Sequence, residues 1–229
     1  MLPSQHTETS SFGAVVVVGS QGGLRASQEL LAHLPVCLGV PVLLDLHRPA
    51  GGAHIEQLLG SRTELPVVPA AHGVPIEAGA VYLAPGDQQM LVADERSLAV
   101  HPAVRTGQPG HVSADPLLAS AASVFGRRVI AVVLTGRLDG GAEGVRTVKR
   151  AGGRVLVQDP RTAAAPSMPN AALATGCVEL ALPVSTIAHA LSAFCCVGGA
   201  ADLFRVRLNQ LAMALSGATP AVVPRARVG

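Results

Sequence analysis

The stretch that decides the fold is Ala14-Val15-Val16-Val17-Val18-Gly19-Ser20-Gln21-Gly22-Gly23-Leu24. Its apolar run predicts a buried strand, and the two glycines after Ser20 predict a turn into a helix. A strand that ends this abruptly places Ser20 at the carboxyl edge of a sheet, where open α/β sheets bind their ligands. Ser20 is therefore the candidate nucleophile.

This turn partly matches the serine elbow of hydrolases, and two other interpretations of it stay open. In that elbow, glycines lie two residues before and two after the serine; Gly22 fits, but Val18 occupies the earlier position. A dinucleotide is an alternative ligand, because Asp45 ends the next predicted strand where a ribose-binding acid would lie, although the glycine spacing is not G-x-G-x-x-G. The turn could also simply join strand to helix.

Two further loops are predicted at the same sheet edge. Val40 to Leu46 is a second buried strand that leads directly into His47, and Arg128 to Leu134 is a third that leads into Thr-Gly-Arg-Leu-Asp-Gly-Gly at residues 135–141. Between them, residues 66–101 form short β runs separated by Pro-Gly and Asp-Glu turns, which predicts a mostly antiparallel insert.

Strands and helices alternate along the rest of the chain, which predicts an α/β domain. Helical spacing is found at residues 24–34, 53–59, 115–125, 145–151, 186–194 and 200–215. We expect a single domain over residues 14–215, with a disordered N-terminus at residues 1–13 and a disordered tail at residues 216–229.

Composition argues against several classes of function. A net charge of +2 and the absence of Trp indicate neither a basic face for phosphates nor an aromatic platform for bases, so no nucleic-acid partner is expected. No signal peptide or membrane-spanning stretch is visible, which predicts a cytoplasmic protein without membrane insertion. The histidine spacing predicts no metal site, and the four cysteines, which lack C-x-x-C spacing, are expected to play no redox role.

Seven short motifs lie between residues 14 and 191. They are Gly19-Ser20-Gln21-Gly22-Gly23, Leu46-His47-Arg48-Pro49, Tyr82-Leu83-Ala84-Pro85-Gly86-Asp87, Ser113-Ala114-Asp115, Leu134-Thr135-Gly136, Gln158-Asp159-Pro160 and Ser167-Met168-Pro169. Together they resemble the catalytic domain of the protein-glutamate methylesterases of bacterial chemotaxis. The resemblance implies a doubly wound, mostly parallel sheet flanked by helices. It also implies a serine hydrolase, without a cofactor, that removes methyl groups from glutamate esters and can deamidate glutamines.

The same resemblance assigns roles to individual residues. Ser20 matches the nucleophile and His47 the general base, and the backbone N–H groups near Gln21 and Arg137 match the oxyanion-binding region. Substrate is then expected to contact the cleft residues Gly22, Gly23 and His111.

The chain departs from the family pattern at the acid that orients the histidine. After Thr-Gly the family has two residues, then Asn or Asp, then the catalytic Asp, then Gly; here Asp139 occupies the first acidic position and Gly140 the second. Loss of that acid costs about 10⁴ in turnover in a serine protease. Asp139 is the candidate substitute, although adjacent α-carbons lie about 3.8 Å apart and their side chains diverge.

The resemblance also predicts partners. They are the methylated cytoplasmic domain of a chemoreceptor or another methylated protein, and a separate receiver protein, because the family match begins near the start of this sequence and no receiver domain precedes it. Three functions stay open: an ester hydrolase, a catalytically weakened binding protein, and a dinucleotide-binding module.

Overall fold

The computed structural model describes residues 11–47, 54–103, 113–137 and 140–196. The strands are β1 (Ala14–Gly19), β2 (Val42–Leu46), β3 (Val67–Pro69), β4 (Val81–Leu83), β5 (Gln88–Asp94), β6 (Ser97–Pro102), β7 (Val129–Val133), β8 (Arg154–Gln158) and β9 (Leu180–Leu182). The helices are α1 (Gly23–Ala32), α2 (Ile55–Gly60), α3 (Asp115–Phe125), α4 (Ala142–Arg150), α5 (Ser167–Ala174) and α6 (Val184–Cys196).

A seven-stranded sheet in the order β3-β4-β2-β1-β7-β8-β9 forms the centre of the molecule. Every adjacent pair in it is parallel. The valines of β1 are buried and alternate between two layers: Val15 and Val17 face one helical layer, whereas Val16 and Val18 face the other. The predicted α/β fold, with a parallel sheet flanked by helices, is therefore confirmed.

The antiparallel insert is smaller than predicted. Of the short β runs in residues 66–101, those at β3 and β4 extend the parallel sheet beyond β2, with Val42 opposite Val81. Only β5 and β6 form an antiparallel pair, as a separate two-stranded sheet. Short apolar runs predict strands but not their partners, because the pairing depends on which sheet edge is free to accept them.

Two short elements had no counterpart among the predicted ones. β9 is only three residues long, and α5 contains Pro169 near its start, where proline is compatible with a helix but typical of a turn. The predicted helix at residues 200–215 and the predicted tail at residues 216–229 lie outside the described residues. Most of the predicted disordered N-terminus, residues 1–10, also lies outside them, whereas Phe12 is buried and packs against Phe194.

The chain leaves the middle of the sheet in opposite directions, and this fixes the position of a cleft. After β1 the chain enters α1, which packs on the layer that also holds α6. After β7 it enters α4, which packs with α3 on the other layer. The loops after β1 and β7 therefore separate at the carboxyl edge, the place where doubly wound sheets bind ligands.

No helix among the described residues is both long enough and apolar enough to cross a membrane.

Candidate active site

Two adjacent strands bring Ser20 and His47 together. Ser20 follows β1, and its N–H donates to the carbonyl of Thr135 at 3.0 Å; the N–H of His47, which follows β2, donates to the carbonyl of Gly19 at 2.9 Å. These backbone bonds fix both residues at the carboxyl edge of the sheet. The Oγ atom of Ser20 then lies 3.3 Å from Nδ1 of His47. A hydroxyl this close to an imidazole nitrogen can transfer its proton as it becomes a nucleophile.

Gly136 permits the loop after β7 to approach Ser20 closely. A Cβ atom at this position would lie 2.1 Å from Sδ of Met168 and 3.0 Å from Cβ of Ser20. The backbone on either side is held by two bonds, from the N–H of Gly136 to the carbonyl of Ala165 and from the N–H of Met168 to the carbonyl of Gly136. Glycine is required here because no side chain fits between Ser20 and the start of α5.

Thr135 links three loops through one buried side chain. Its hydroxyl lies 3.0 Å from the carbonyl of Gln21 and 3.2 Å from that of Ala165, and it accepts the N–H of Ala165 at 2.8 Å. Its own N–H donates to Oε1 of Gln158 at 2.8 Å. Thr135 thereby holds the Gln21–Gly22 peptide of the loop that follows Ser20.

Two backbone N–H groups border the site without a partner. Within the part of the chain that the structure describes, neither the N–H of Gln21 nor that of Arg137 makes a hydrogen bond. Both belong to exposed residues that flank Ser20, one on each of the two loops. Unpaired N–H groups from two loops are what an oxyanion hole requires, and these are the residues expected to form it.

Ser20 and His47 both line a small cavity. Its volume is about 20 Å³, which is enough for one water molecule. Its lining consists of Gly19, Ser20, Asp45, His47, Ala114, Arg137, Gly140 and Met168.

Asp45 belongs to this cavity, although it was considered from the sequence only as a ribose-binding acid. It lies on β2 two residues before His47, so both side chains project from the same face of the strand. Only 9% of its surface is exposed. The i, i+2 spacing before His47 was the signal in the sequence that could have identified it.

The loop that should supply the acid is only partly described. Gly140 lines the cavity, whereas Asp139 lies outside the described residues. The next part of this loop is anchored by Asp115, whose Oδ1 accepts the N–H of Gly144 at 2.7 Å while its Oδ2 accepts the hydroxyl of Ser113. Asp115 thus joins the starts of α3 and α4, which is a structural role.

Gly22 and Gly23, two of the residues that are expected to contact substrate, are not among the described residues that line this cavity. Gly22 adopts a left-handed conformation with a φ of 80°, and a Cβ there would lie 2.8 Å from Cβ of Ala164. It borders a separate groove of about 440 Å³ on the other side of the loop, together with Arg25 and Thr135. Gly23 is buried at the start of α1, and His111 lies outside the described residues.

No group of three or more metal-ligating side chains is found among the residues that the structure describes.

Residues 15–191 match the family of the CheB methylesterase. Among curated proteins, a protein-glutamate methylesterase/protein-glutamine glutaminase of Anaeromyxobacter dehalogenans is 39% identical over 77% of this chain and 52% of its own length. A protein of the same name from Pyrococcus horikoshii is 34% identical over 76% of this chain and 48% of its length. The protein-glutamate methylesterase FrzG of Myxococcus xanthus is 34% identical over 79% of this chain and 54% of its length.

The chain spans about half the length of these curated relatives. A crystal structure of the CheB methylesterase catalytic domain of Thermotoga maritima superimposes with a TM-score of 0.71 at 29% identity. It covers 78% of this chain, and this chain covers 96% of that domain. The similarity therefore concerns a catalytic domain, and the dinucleotide interpretation gains no support from it.

Proposed function

Because this chain belongs to the CheB methylesterase family, we propose that it is a serine hydrolase that cleaves glutamate methyl esters on a protein and deamidates glutamine side chains. The 3.3 Å contact between Oγ of Ser20 and Nδ1 of His47 is the observation that carries this proposal. The relatives in which the matching domain occurs are named for these two reactions.

The first half of the reaction forms an acyl-enzyme. Nδ1 of His47 takes the proton of the Ser20 hydroxyl while Oγ attacks the ester carbonyl, and negative charge develops on the carbonyl oxygen. The N–H groups of Gln21 and Arg137 donate to that oxygen. His47 then returns the proton to the departing oxygen, methanol leaves, and the glutamyl group stays esterified to Ser20.

The second half consumes one water molecule. His47 removes a proton from water, the hydroxide attacks the acyl carbonyl, and Oγ of Ser20 leaves with the proton that His47 returns. The products are a free glutamate and the restored serine. With glutamine as substrate, ammonia leaves in place of methanol. The cavity between Ser20 and His47 has room for the attacking water.

Two carboxylates are available to stabilise His47 when it carries a proton. Asp139 precedes Gly140, at the position next to the family's acid. Asp45 is buried in the cavity that His47 lines, where a negative charge stabilises an imidazolium across a medium of low polarity. We propose Asp139 as the substitute for the family's acid and Asp45 as a second carboxylate, and that together they support His47 less well than an acid at position 140 would.

The partner proposed for this site is the methylated cytoplasmic domain of a chemoreceptor or another methylated protein. One observation favours a second function, binding without turnover. Gly140 lines the cavity at the position where the family pattern has its acid, and loss of that acid costs about 10⁴ in turnover in a serine protease.

Methanol release from methylated chemoreceptor fragments tests the proposal, with a small activated ester as the second substrate. We expect turnover that Ser20→Ala eliminates, while Ser20→Ala still binds the methylated fragment. If neither the natural chain nor Gly140→Asp turns over either substrate above the Ser20→Ala background, the hydrolase proposal is wrong. Retained binding to the methylated fragment would then support the binding function.

A further inference from the structure

Two cysteines that are far apart in the sequence meet at the surface. Cys37 lies between α1 and β2, and Cys196 is the last residue of α6, which packs beside α1. The Sγ atom of Cys196 lies 3.4 Å from the carbonyl oxygen of Cys37. Both residues are exposed and neither is in a disulfide.

This contact places the sulfur atom of Cys196 beside the backbone of Cys37. Burial raises the pKa of the Cys196 thiol, and the charge of Cys37 and a hydrogen bond with its side chain raise it further. Disulfide formation needs the two sulfur atoms at about 2.05 Å, and rotation of two exposed side chains can bring them to that distance.

The other two cysteines serve as an internal comparison. Cys195 precedes Cys196 but is buried in the core beneath α6. Cys177 is half-buried, and its Sγ atom lies 3.5 Å from the carbonyl of Thr175, only two residues away. Of the four cysteines, Cys37 and Cys196 are thus the two that are exposed and lie next to each other.

We propose that Cys37 and Cys196 form an oxidisable dithiol site that closes into a reversible disulfide with hydrogen peroxide as the oxidant. The inference is independent of the proposed ester hydrolysis. Such a site is not predictable from the sequence, because spacing along the chain does not reveal the contact between residues 159 positions apart.

The reaction balances in two steps. The thiolate of one cysteine attacks the peroxide, gains one oxygen to become a sulfenic acid, and releases water. The second thiol displaces that oxygen as another water, which forms the disulfide. Two thiols are oxidised and one peroxide is reduced to two waters. A thiol reductant reverses the reaction by thiol–disulfide exchange.

The disulfide would join the C-terminal end of α6 to the turn that precedes β2. This turn is at the amino edge of the sheet, whereas Ser20 and His47 are at the carboxyl edge. A cross-link here closes a loop that contains most of the domain, so it is expected to stabilise the fold. Ester hydrolysis is expected to change little, because the cross-link does not touch the catalytic loops.

Peroxide treatment of the reduced full chain tests the site. The expected product loses two hydrogen atoms in mass, keeps two of its four thiols open to alkylation under denaturing conditions, and yields a Cys37–Cys196 cross-linked peptide after proteolysis. Its Tm should rise by several degrees and return to the starting value after treatment with dithiothreitol. Cys37→Ser and Cys196→Ser should each abolish the cross-link, whereas the matched control Cys177→Ser should retain it.

Three results would overturn the inference. They are a sulfinic or sulfonic acid at Cys37 or Cys196 without a cross-link, a cross-link that includes Cys177 or Cys195, and a disulfide between two copies of the chain on a non-reducing gel. Cys196→Ala tests the same point if the serine variants fold poorly, since alanine keeps the helical end of α6 and removes only the sulfur.

Discussion

The hydroxyl of Ser20 faces Nδ1 of His47, at 3.3 Å, and not Nε2. A neutral imidazole can accept a proton at Nδ1 only if its single proton is on Nε2. The carboxylate that supports this histidine must therefore act from the side of Nε2. The acid of the triad is therefore to be identified as the carboxylate that lies on the Nε2 side of His47.

Removal of the nucleophile gives the first prediction. Ser20→Ala should reduce ester hydrolysis to the uncatalysed background, because the acyl-enzyme can then no longer form on Ser20. The measurement is methanol release from methylated receptor fragments. The matched control is Ser61→Ala, which removes an exposed hydroxyl bonded only to the carbonyl of Leu58. Equal losses in both variants would show that Ser20 is not the nucleophile.

The acid of the triad gives the second prediction. We expect the natural chain to be a poor esterase and Gly140→Asp to raise its kcat by up to about 10⁴-fold, because an acid at this position orients His47 and stabilises its protonated form. Turnover of a small activated ester measures this without dependence on the protein partner. An efficient natural enzyme that Asp139→Asn inactivates would show instead that Asp139 is already the acid.

Folding has to be verified for Gly140→Asp before its activity is interpreted. If the loop holds this residue at a positive φ, an aspartate costs about 1 kcal/mol or more. Circular dichroism and the Tm report that strain. Gly140→Ala is the matched control, since it introduces a Cβ at the same position without a carboxylate and should leave kcat low.

The buried carboxylate in the cavity gives the third prediction. Asp45→Asn removes a charge while keeping the shape, and it should lower kcat by about 10-fold or more by destabilising protonated His47. The matched control, Asp94→Asn, changes an exposed aspartate on the two-stranded sheet. Turnover of the small activated ester measures both variants at one pH, and a loss no larger for Asp45→Asn than for Asp94→Asn would contradict this role.

Thr135 gives the fourth prediction. Thr135→Val has nearly the same shape but leaves the carbonyl of Gln21 and the N–H of Ala165 without this partner, at a cost of about 1–3 kcal/mol in the free energy of unfolding. Because the Gln21–Gly22 peptide then loses its hydrogen bond to Thr135, the loop after Ser20 is held less firmly and kcat should fall as well. Thr135→Ser keeps the hydroxyl and should recover most of both quantities. Urea denaturation and ester turnover test this pair, and similar behaviour of the two variants would argue against the role of the hydroxyl.

The place of Ser20 at the end of β1 could be predicted from the sequence because the relevant signals are local. An uninterrupted valine run before Ser20 requires a strand buried on both faces, and the Gly22-Gly23 pair permits the left-handed turn that follows. The position of His47 could be predicted for the same reason, since this residue directly follows the next apolar run. Parallel neighbours then bring the ends of both strands to one edge.

Other parts of the site depend on contacts between distant residues. The partner of β3 and β4 is set by the free edge of β2, and the place of Asp45 in the cavity is set by how β2 lies beside β1. The link from Thr135 to Gln21 joins residues 114 positions apart. A residue pattern along the chain does not contain such pairings, because they arise only when loops from different strands meet.

The close contact between Gly136 and Met168 gives the last prediction. Gly136→Ala should lower the free energy of unfolding by about 1–3 kcal/mol, because the new Cβ would overlap Sδ of a methionine that is only 4% exposed. Met168→Ala alone should also destabilise, through the cavity it leaves. In the double variant the alanine methyl group enters part of the vacated space. The losses of unfolding free energy in the two single variants should therefore add up to about 1 kcal/mol more than the loss in the double variant. Urea denaturation of the four proteins measures this coupling, and strict additivity would show that the backbone moves to relieve the overlap. Activity should stay low in the double variant even where stability recovers, since the same Cβ lies 3.0 Å from Cβ of Ser20 and displaces the nucleophile.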